Sequence, residues 1–443
     1  MATVSVSENA VAVSLTTKEV LAGLRRDIRV PLSAVTAAEV VQDPVANVHG
    51  VRAPGLSVPN RTKIGTWRRR GRRMFAVARP GQAAVKISLA GAGVDEVLVS
   101  TPDAPALAHR IRNAVGAERG IVNYRDEPVS FAAADGVRLR GTMTIPDSGD
   151  GPFPAVLILP GSGEVDRDGD HRRIALGVGR DIANALALHG IASLRYDKRG
   201  VGESEGAFLT TGFTDNLADA RAALSCLLGR PEVRSGAVVV LGHSEGALHA
   251  AEIGAQDGQN LAGVVLICPT AKTGEQAMQW QTEQVAAGLP APTRALLRFL
   301  RIDVVAKQRK AVDTIRRTTT DTARLQGRRV NARWQRELLA YDPAPALRQL
   351  RTPVLAVTGS KDIQVDPADL QVIATLVPGP VETVTVPDLT HLLRRDPHSP
   401  SVSAYKSLAR QPIDAATVEL IVDWVTRHAD TRGTAGTDEG AHS

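Results

Sequence analysis

Val238–Ala250 reads VVVLGHSEGALHA, and its interpretation decides the fold. An apolar run ends in Gly242-His243-Ser244-Glu245-Gly246, and small residues with helical spacing follow at once. A strand, a very tight turn and a helix in that order lift Ser244 onto the crest of the turn. Gly242 and Gly246 let the strand and the helix approach without side-chain clashes. That is the physical content of a Gly-x-Ser-x-Gly corner, which presents a serine hydroxyl as a nucleophile. The same five residues also fit an ordinary strand-to-helix turn, so a base, an acid and amides for an oxyanion have to be found elsewhere.

Outward from this corner the chain alternates between two periods. Pro128–Ala132 and Val137–Ile145 read as an opening antiparallel pair. Ala155–Leu159, Ile191–Tyr196, Ala237–Leu241, Val264–Cys268, Val354–Thr358 and Val381–Val386 read as short buried strands. Ile174–Leu188, Asn216–Leu228, Ala247–Ala255 and Ala415–His428 have helical spacing. Strands alternating with helices predict an α/β class with a mostly parallel sheet covered on both faces. From Thr270 to about Arg348 the rhythm breaks: the stretch is rich in Gln, Arg and Ala and shows no convincing strand. An insertion there is expected to form a helical cap, about 270–348, over the C-terminal edge of the sheet, and to shape the pocket.

Serine is a weak nucleophile at neutral pH and needs a base within hydrogen-bond reach. Among ten histidines, His391 stands in the loop after the last expected strand, in Pro387-Asp388-Leu389-Thr390-His391-Leu392. Asp362 follows the strand Thr352–Thr358 and is the candidate to orient that imidazole. Asp366 is the nearest competitor, but it precedes Pro367 and a helical pattern and reads as an N-cap. For the oxyanion, the candidates are the backbone N–H of Glu245 and that of Ser162, in Pro160-Gly161-Ser162-Gly163. The order Ser244, Asp362, His391 is nucleophile, acid, base.

Five segments carry a resemblance: LPGSGEVDRDGD, LRYDKRGVGES, GHSEGA, GSKDIQV and PDLTHLL. From about 125 to 428 the chain resembles α/β-hydrolases of the serine esterase, lipase and peptidase kind, and more narrowly a bacterial acyl-esterase branch with a helical cap. In that branch the first loop usually holds a proline-containing pair where this chain has Glu164-Val165, and an Asn where it has Thr390. The resemblance implies an α/β-hydrolase fold and a serine hydrolase that cleaves carboxylic esters through an acyl-enzyme, with no cofactor and no metal. A peptidase, amidase or acyltransferase with the same triad is the alternative; a peptidase needs a charged subsite, for which Glu245 or the Asp166–Asp168 loop is the candidate. Asp166-Arg167-Asp168 and Tyr196-Asp197-Lys198-Arg199-Gly200 otherwise read as structural charge corners.

The remaining sequence bounds the setting. At 443 residues, two domains are expected: 1–116, 120–429, and a polar tail at 430–443. No apolar run reaches the roughly 18–20 residues that span a bilayer. The start of the chain lacks the basic-then-apolar pattern of a signal peptide. Cys226 and Cys268 cannot build a disulfide framework and read as buried thiols, so a cytoplasmic location is expected.

Residues 1–115 hold 16 Lys/Arg against 8 Asp/Glu, concentrated in Arg61, Lys63, Arg68, Arg69, Arg70, Arg72 and Arg73. Such a run is a solvated hairpin or a surface for anionic lipid, nucleic acid or an acidic protein partner. Ala2–Val6, Ala10–Leu15, Asp27–Pro31, Ala37–Val41, Arg73–Ala78, Ala84–Leu89 and Asp95–Ser100 predict a small antiparallel sheet or barrel, closed by a helix at Ala104–Val115. With GVRAPGLSVP, GTWRRRGRRMFAVARPG and VLVSTPDAPALAHRIRNAV, this quarter of the chain resembles bacterial pleckstrin-homology-like (PH-like) domains. A binding module is therefore the rival function of a different class.

Overall fold

The alternation of apolar residues organises two separate cores in the computed structural model. It describes residues 2–431 apart from 8–9, 17–18, 21–26, 59–61, 70, 103, 105–106, 109–110, 112–113, 116–123, 148–150, 173 and 326. The expected tail therefore lies almost wholly outside the described residues. Contacts divide the chain into the compact units Met1–Asn123 and Tyr124–Ser443.

The first unit holds a three-stranded antiparallel sheet of β1 (Thr3–Val6), β2 (Ala10–Ser14) and β3 (Ile28–Pro31). A second sheet holds β4 (Val35–Val41), β5 (Val51–Val58), β6 (Thr62–Arg69), β7 (Arg72–Ala78), β8 (Ala84–Leu89) and β9 (Glu96–Ser100), in the order β4-β8-β9-β7-β6-β5. The expected all-antiparallel arrangement is corrected here, because β9 lies between β8 and β7 and runs parallel to β7. Val97, Leu98 and Val99 are each buried, so β9 presents apolar residues on both faces and fits a central position. Strand β5 was not foreseen: Pro54 and Gly55 interrupt its pattern, and the pairing with β6 slips between Arg52 and Gly55. The described residues of the closing stretch are helical and bury Ala104, Leu107, Ala108 and Ile111, the spacing of one helix face.

The second unit is built on β10 (Tyr124–Ala132), β11 (Arg138–Pro146), β12 (Phe153–Leu159), β13 (Ala192–Tyr196), β14 (Val233–His243), β15 (Gly263–Ile267), β16 (Thr322–Leu325), β17 (Arg328–Asn331), β18 (Val354–Gly359) and β19 (Val381–Val386). Eight of these form one sheet in the order β10-β11-β13-β12-β14-β15-β18-β19. The β10, β11 and β13 pairings are antiparallel, and every pairing from β13 through β12 to β19 is parallel. Helices α1 (Val178–Leu188) and α9 (Ala415–Thr431) cover one face, with Ile182, Leu186, Ile421 and Trp424 against Val156, Ile158 and Leu241. Helices α2 (Phe213–Leu228), α3 (Glu245–Asp257) and α8 (Asp369–Leu376) cover the other, with Leu224, Ala250 and Ile373 in the core that holds Leu157, Leu159 and Val240. Alternate residues of one strand thus feed opposite cores. Each fully buried Val or Leu contributes about 2 kcal/mol.

Residues 270–348 form α4 (Gly274–Ala287), α5 (Ala291–Phe299), α6 (Val304–Arg316) and α7 (Ala332–Ala340), with a small core of Ile315, Ala332 and Leu339. The purely helical expectation is corrected by the hairpin β16–β17. Its four-residue strands, TARL and RRVN, are too short and too polar to show a period. The expected start of α1 at Ile174 is also late-shifted: Ile174 bridges to His171, and Gly177 at φ 63° precedes the helix. Among the described residues no helix is long and apolar enough to cross a membrane.

Candidate active site

Ser244 stands at the end of β14 with φ 57° and ψ −115°, a conformation that costs a non-glycine residue of order 1–3 kcal/mol. Its N–H donates to the Ile267 carbonyl at 2.9 Å, which pins the turn to β15. A Cβ on Gly242 would collide with the Gly246 backbone, and one on Gly246 with the carbonyls of Leu159 and Pro160. Both glycines are therefore required by close approach. Gly161 packs on the same corner, where its Cβ position is 3.5 Å from the Ser244 Cβ. Among the described residues, neither the Ser162 N–H nor the Glu245 N–H has an acceptor.

Asp362 follows β18, and His391 lies in the loop after β19. The His391 Nδ1–H donates to Asp362 Oδ2 at 2.7 Å, while Asp362 Oδ1 accepts from the N–H groups of Gln364 at 2.8 Å and Val365 at 3.0 Å. Both residues are only 4% exposed. Burial pushes the Asp362 carboxyl up, but the charge and hydrogen bond of His391, together with the two amides, outweigh it. The carboxyl lies below its ordinary value.

The loop around His391 is held from several sides. Thr390 donates its N–H and its hydroxyl to the Arg394 carbonyl, each at 2.9 Å, and so closes the loop. Arg394, 2% exposed, donates to the carbonyls of Leu392, Gln411 and Leu176. Burial brings its guanidinium down to about 10, and among the described residues no carboxylate pairs with it. His243 Nε2–H donates to the His391 carbonyl at 3.0 Å, and burial beside His391 drives its pKa down to about 3, so it is neutral. Cys268, at φ 51°, is fully buried, and burial beside Asp362 raises its thiol pKa further above the ordinary range. His243, Cys268 and His391 each bring a metal-ligating atom within 4.8 Å of the others. One nitrogen of each imidazole, Nε2 of His243 and Nδ1 of His391, is already committed to the hydrogen bonds that hold this loop.

The residue after Ser244 is expected to offer its amide to the oxyanion and, in the peptidase alternative, its carboxylate to a charged subsite. Its carboxylate instead lies at the centre of a buried network. Glu245 accepts from Lys198 Nζ at 3.1 Å, Asn216 Nδ2 at 3.1 Å and Trp334 Nε1 at 3.0 Å. Trp334 belongs to α7, so the cap is tied to the first turn of α3. Arg333 to Asp215 and Glu337 to Thr214 add two further links between α7 and α2. The signal in the sequence was a carboxylate at the start of a helix whose next residues, Gly246-Ala247-Leu248, are small or apolar and bound for the core, so that it needs buried partners. Nothing in the sequence named them.

The other charged motifs are corners. Arg167 forms ion pairs with Asp197 at 2.5 Å and Glu203 at 2.6 Å, and Asp168 with Arg195 at 2.9 Å. Asp166 accepts from the N–H groups of Asp168 and Asp170. Arg199 forks onto Asp219 through Nε at 2.7 Å and Nη2 at 2.6 Å. Asp366 is not the expected N-cap, since α8 begins at Asp369. It accepts from the Ala368 N–H and pairs with Lys272 at 2.9 Å, because Pro367 and Ala368 form a turn before the helix.

Ser162, Ser244 and His391 open on one cavity of about 230 Å³. Its other walls come from β12, β14, α1 and the loop Gly161–Leu176, with Gln364 after β18 and Leu392 beside His391. The expectation that the cap shapes this pocket is corrected: no described residue of 270–348 lines it.

An eight-stranded sheet of this order, with a serine on a strained strand–helix corner and an Asp–His pair beyond later strands, defines a hydrolase of the α/β type. Residues 175–398 match the model of the family described as Hydrolase_4, serine aminopeptidase, S33, and the chain belongs to that family. A curated relative, esterase EstD of Thermotoga maritima, is 29% identical over 324 residues, covering 71% of this chain and 72% of its own. Est1E of Butyrivibrio proteoclasticus with ferulic acid bound matches 68% of this chain and 96% of its own, at 19% identity and TM-score 0.46. An esterase of Pyrococcus furiosus matches 71% and 92%, at 16% identity and TM-score 0.44.

Proposed function

We propose that the protein hydrolyses carboxylic esters with Ser244 as nucleophile, His391 as general base and acid, and Asp362 as the group that orients the imidazole. The observation that carries this is the 2.7 Å Asp362–His391 pair, whose His391 lines the same cavity as the strained Ser244. With Nδ1–H held by Asp362, Nε2 is the acceptor for the serine proton. Ser244 Oγ attacks the carbonyl carbon and its proton passes to His391 Nε2. The oxyanion is met by the Ser162 and Glu245 amides, whose lack of other acceptors supports that role. His391 then protonates the leaving alcohol; the same imidazole next takes a proton from water as its oxygen attacks the acyl carbon, and returns that proton to Ser244 Oγ as the acid leaves. An ester is favoured over a peptide because the carboxylates nominated for a peptide terminus are engaged internally, Glu245 above all. Ser244→Ala should abolish turnover of p-nitrophenyl esters in a protein with unchanged circular dichroism; full activity in that variant rejects the assignment.

A separate observation favours a second role for the N-terminal unit, which its strands and closing helix support as a PH-like module. Arg68 pairs across the β6–β7 hairpin with Arg73, and Arg69 with Arg72, all exposed; among the described residues none of the four guanidinium groups has an ion-pair partner, the one carboxylate contact being Asp95 Oδ2, which accepts from the Arg73 backbone N–H at 2.6 Å. Like charges directly opposite each other destabilise a hairpin. Val51, 77% exposed, is the cross-strand neighbour of Arg68, whereas Trp67 and Phe75 are buried and closed to base stacking. Arginines beside an exposed aliphatic group suit an anionic bilayer surface. Sedimentation with phosphatidylserine vesicles should be lost on replacing the four arginines by serine; retention by that variant rejects this role. The two free cysteines are compatible with a cytoplasmic setting.

A further inference from the structure

The cavity at Ser244 has a composition that says what it holds. Its deep wall is Ile158 of β12, Leu241 of β14, and Val178 and Ile182 of α1, at most 5% exposed. Nearer the surface come Leu176, half-buried, and His171, exposed. The guanidinium that reaches the cavity, Arg167, is already bound by Asp197 and Glu203, so among the described residues that line it no Lys or Arg is left unpaired for a substrate carboxylate. An apolar wall without a counter-charge disfavours an ionised group by several kcal/mol, so the occupant is neutral.

The volume sets the size. An apolar cavity of about 150 Å³ holds benzene. This one, at about 230 Å³, is about half as large again. It therefore has room for about eight or nine heavy atoms, including the carbonyl that must stand at Ser244. Of the two halves of an ester, the acyl half stays bonded to Ser244 while the alcohol has to leave past His391. A pocket that ends on the buried side chains of Ile182 and Leu241 suits the half that stays.

We propose that this cavity is the acyl pocket and that it selects uncharged acyl groups of about six to eight carbons, or a single aromatic ring, over long fatty chains. The proposal rests on the ester-hydrolase reading. It places acyl selection on α1, β12 and β14, whereas the cap is tied to the opposite side of the elbow through Glu245.

The test uses the full-length protein with p-nitrophenyl esters of two to sixteen acyl carbons below their aggregation limits, beside acetyl esters of growing alcohols. kcat/KM should rise about three- to fourfold per methylene, the equivalent of about 0.8 kcal/mol per buried CH₂, up to six to eight carbons and fall beyond them. Alcohol length should have a weaker effect. Ile182→Ala should move the optimum to longer chains and Val178→Phe to shorter ones. Because each profile is read as ratios within one variant, a general loss of folded protein cancels. Turnover that keeps rising to sixteen carbons, an optimum that neither variant moves, or selection by alcohol length overturns the pocket assignment and leaves ester hydrolysis standing. Failure to turn over any ester or to react with a fluorophosphonate overturns the ester-hydrolase reading itself.

Discussion

Replacing Lys198 with methionine is expected to cost more than any substitution on the surface of this unit, although Lys198 touches neither Ser244 nor His391 by hydrogen bond. The side chains of Lys198 and Glu245 are 5% and 2% exposed and meet at 3.1 Å. Removing one member of a buried ion pair leaves an uncompensated charge and typically costs about 3–5 kcal/mol. Asn216 and Trp334 still donate to Glu245, so the lower end, about 3 kcal/mol, is expected. The double variant Lys198→Met, Glu245→Gln removes both charges while the amide oxygen keeps the two neutral donors, and should recover most of that loss. Urea unfolding followed by tryptophan fluorescence reads it directly, because Trp280, Trp334 and Trp424 all belong to the hydrolase unit. With a slope of about 3 kcal/mol/M, the midpoint falls by about 1 M in Lys198→Met. A single variant within about 0.5 kcal/mol of wild type, or a double variant as unstable as the two single losses added together, would refute the reasoning.

Other consequences follow from the same geometry. Asp362→Asn keeps the shape of the pair but disturbs the His391 tautomer and removes the counter-charge, and kcat should fall about 10⁴-fold in ester hydrolysis assays. His249, 3% exposed on α3 with Phe213 against its ring, is lowered by burial to about 4. The unfolded chain takes up that proton near pH 6.5, so the contribution is complete above 6.5 and lost as pH falls towards 4. It amounts to about 3 kcal/mol, and His249→Leu should flatten that part of the stability profile in urea titrations at successive pH values. Gly246→Ala drives a methyl into the Leu159 and Pro160 carbonyls, and should reduce both soluble yield and fluorophosphonate labelling of Ser244 far more than Gly229→Ala, where φ is −81° and the added Cβ meets only the Ser225 and Cys226 carbonyls at 3.4 and 3.7 Å.

What the sequence discloses and what it hides divide along physical lines. Ser244, Asp362 and His391 each follow an apolar run that the fold uses as a parallel strand, and parallel strands deliver their C-terminal residues to one edge. Position along the chain was therefore enough to nominate them. The partners of Glu245 come from 47, 29 and 89 residues away, on β13's following loop, α2 and the cap. No local period encodes such a meeting. The β16–β17 hairpin was hidden because four-residue polar strands carry no alternation, and the parallel pairing of β9 because a strand apolar on both faces does not announce its neighbours. Asp366 was misread since Pro367 signals a turn as readily as a helix start.

The most direct test of the central claim is to quench the enzyme during turnover of a p-nitrophenyl ester and map the acylated peptide by mass spectrometry. The account predicts an acyl adduct on Ser244 that accumulates under acid quench and is absent in Ser244→Ala. Turnover with the adduct on another residue, or undiminished turnover in Ser244→Ala, would contradict it.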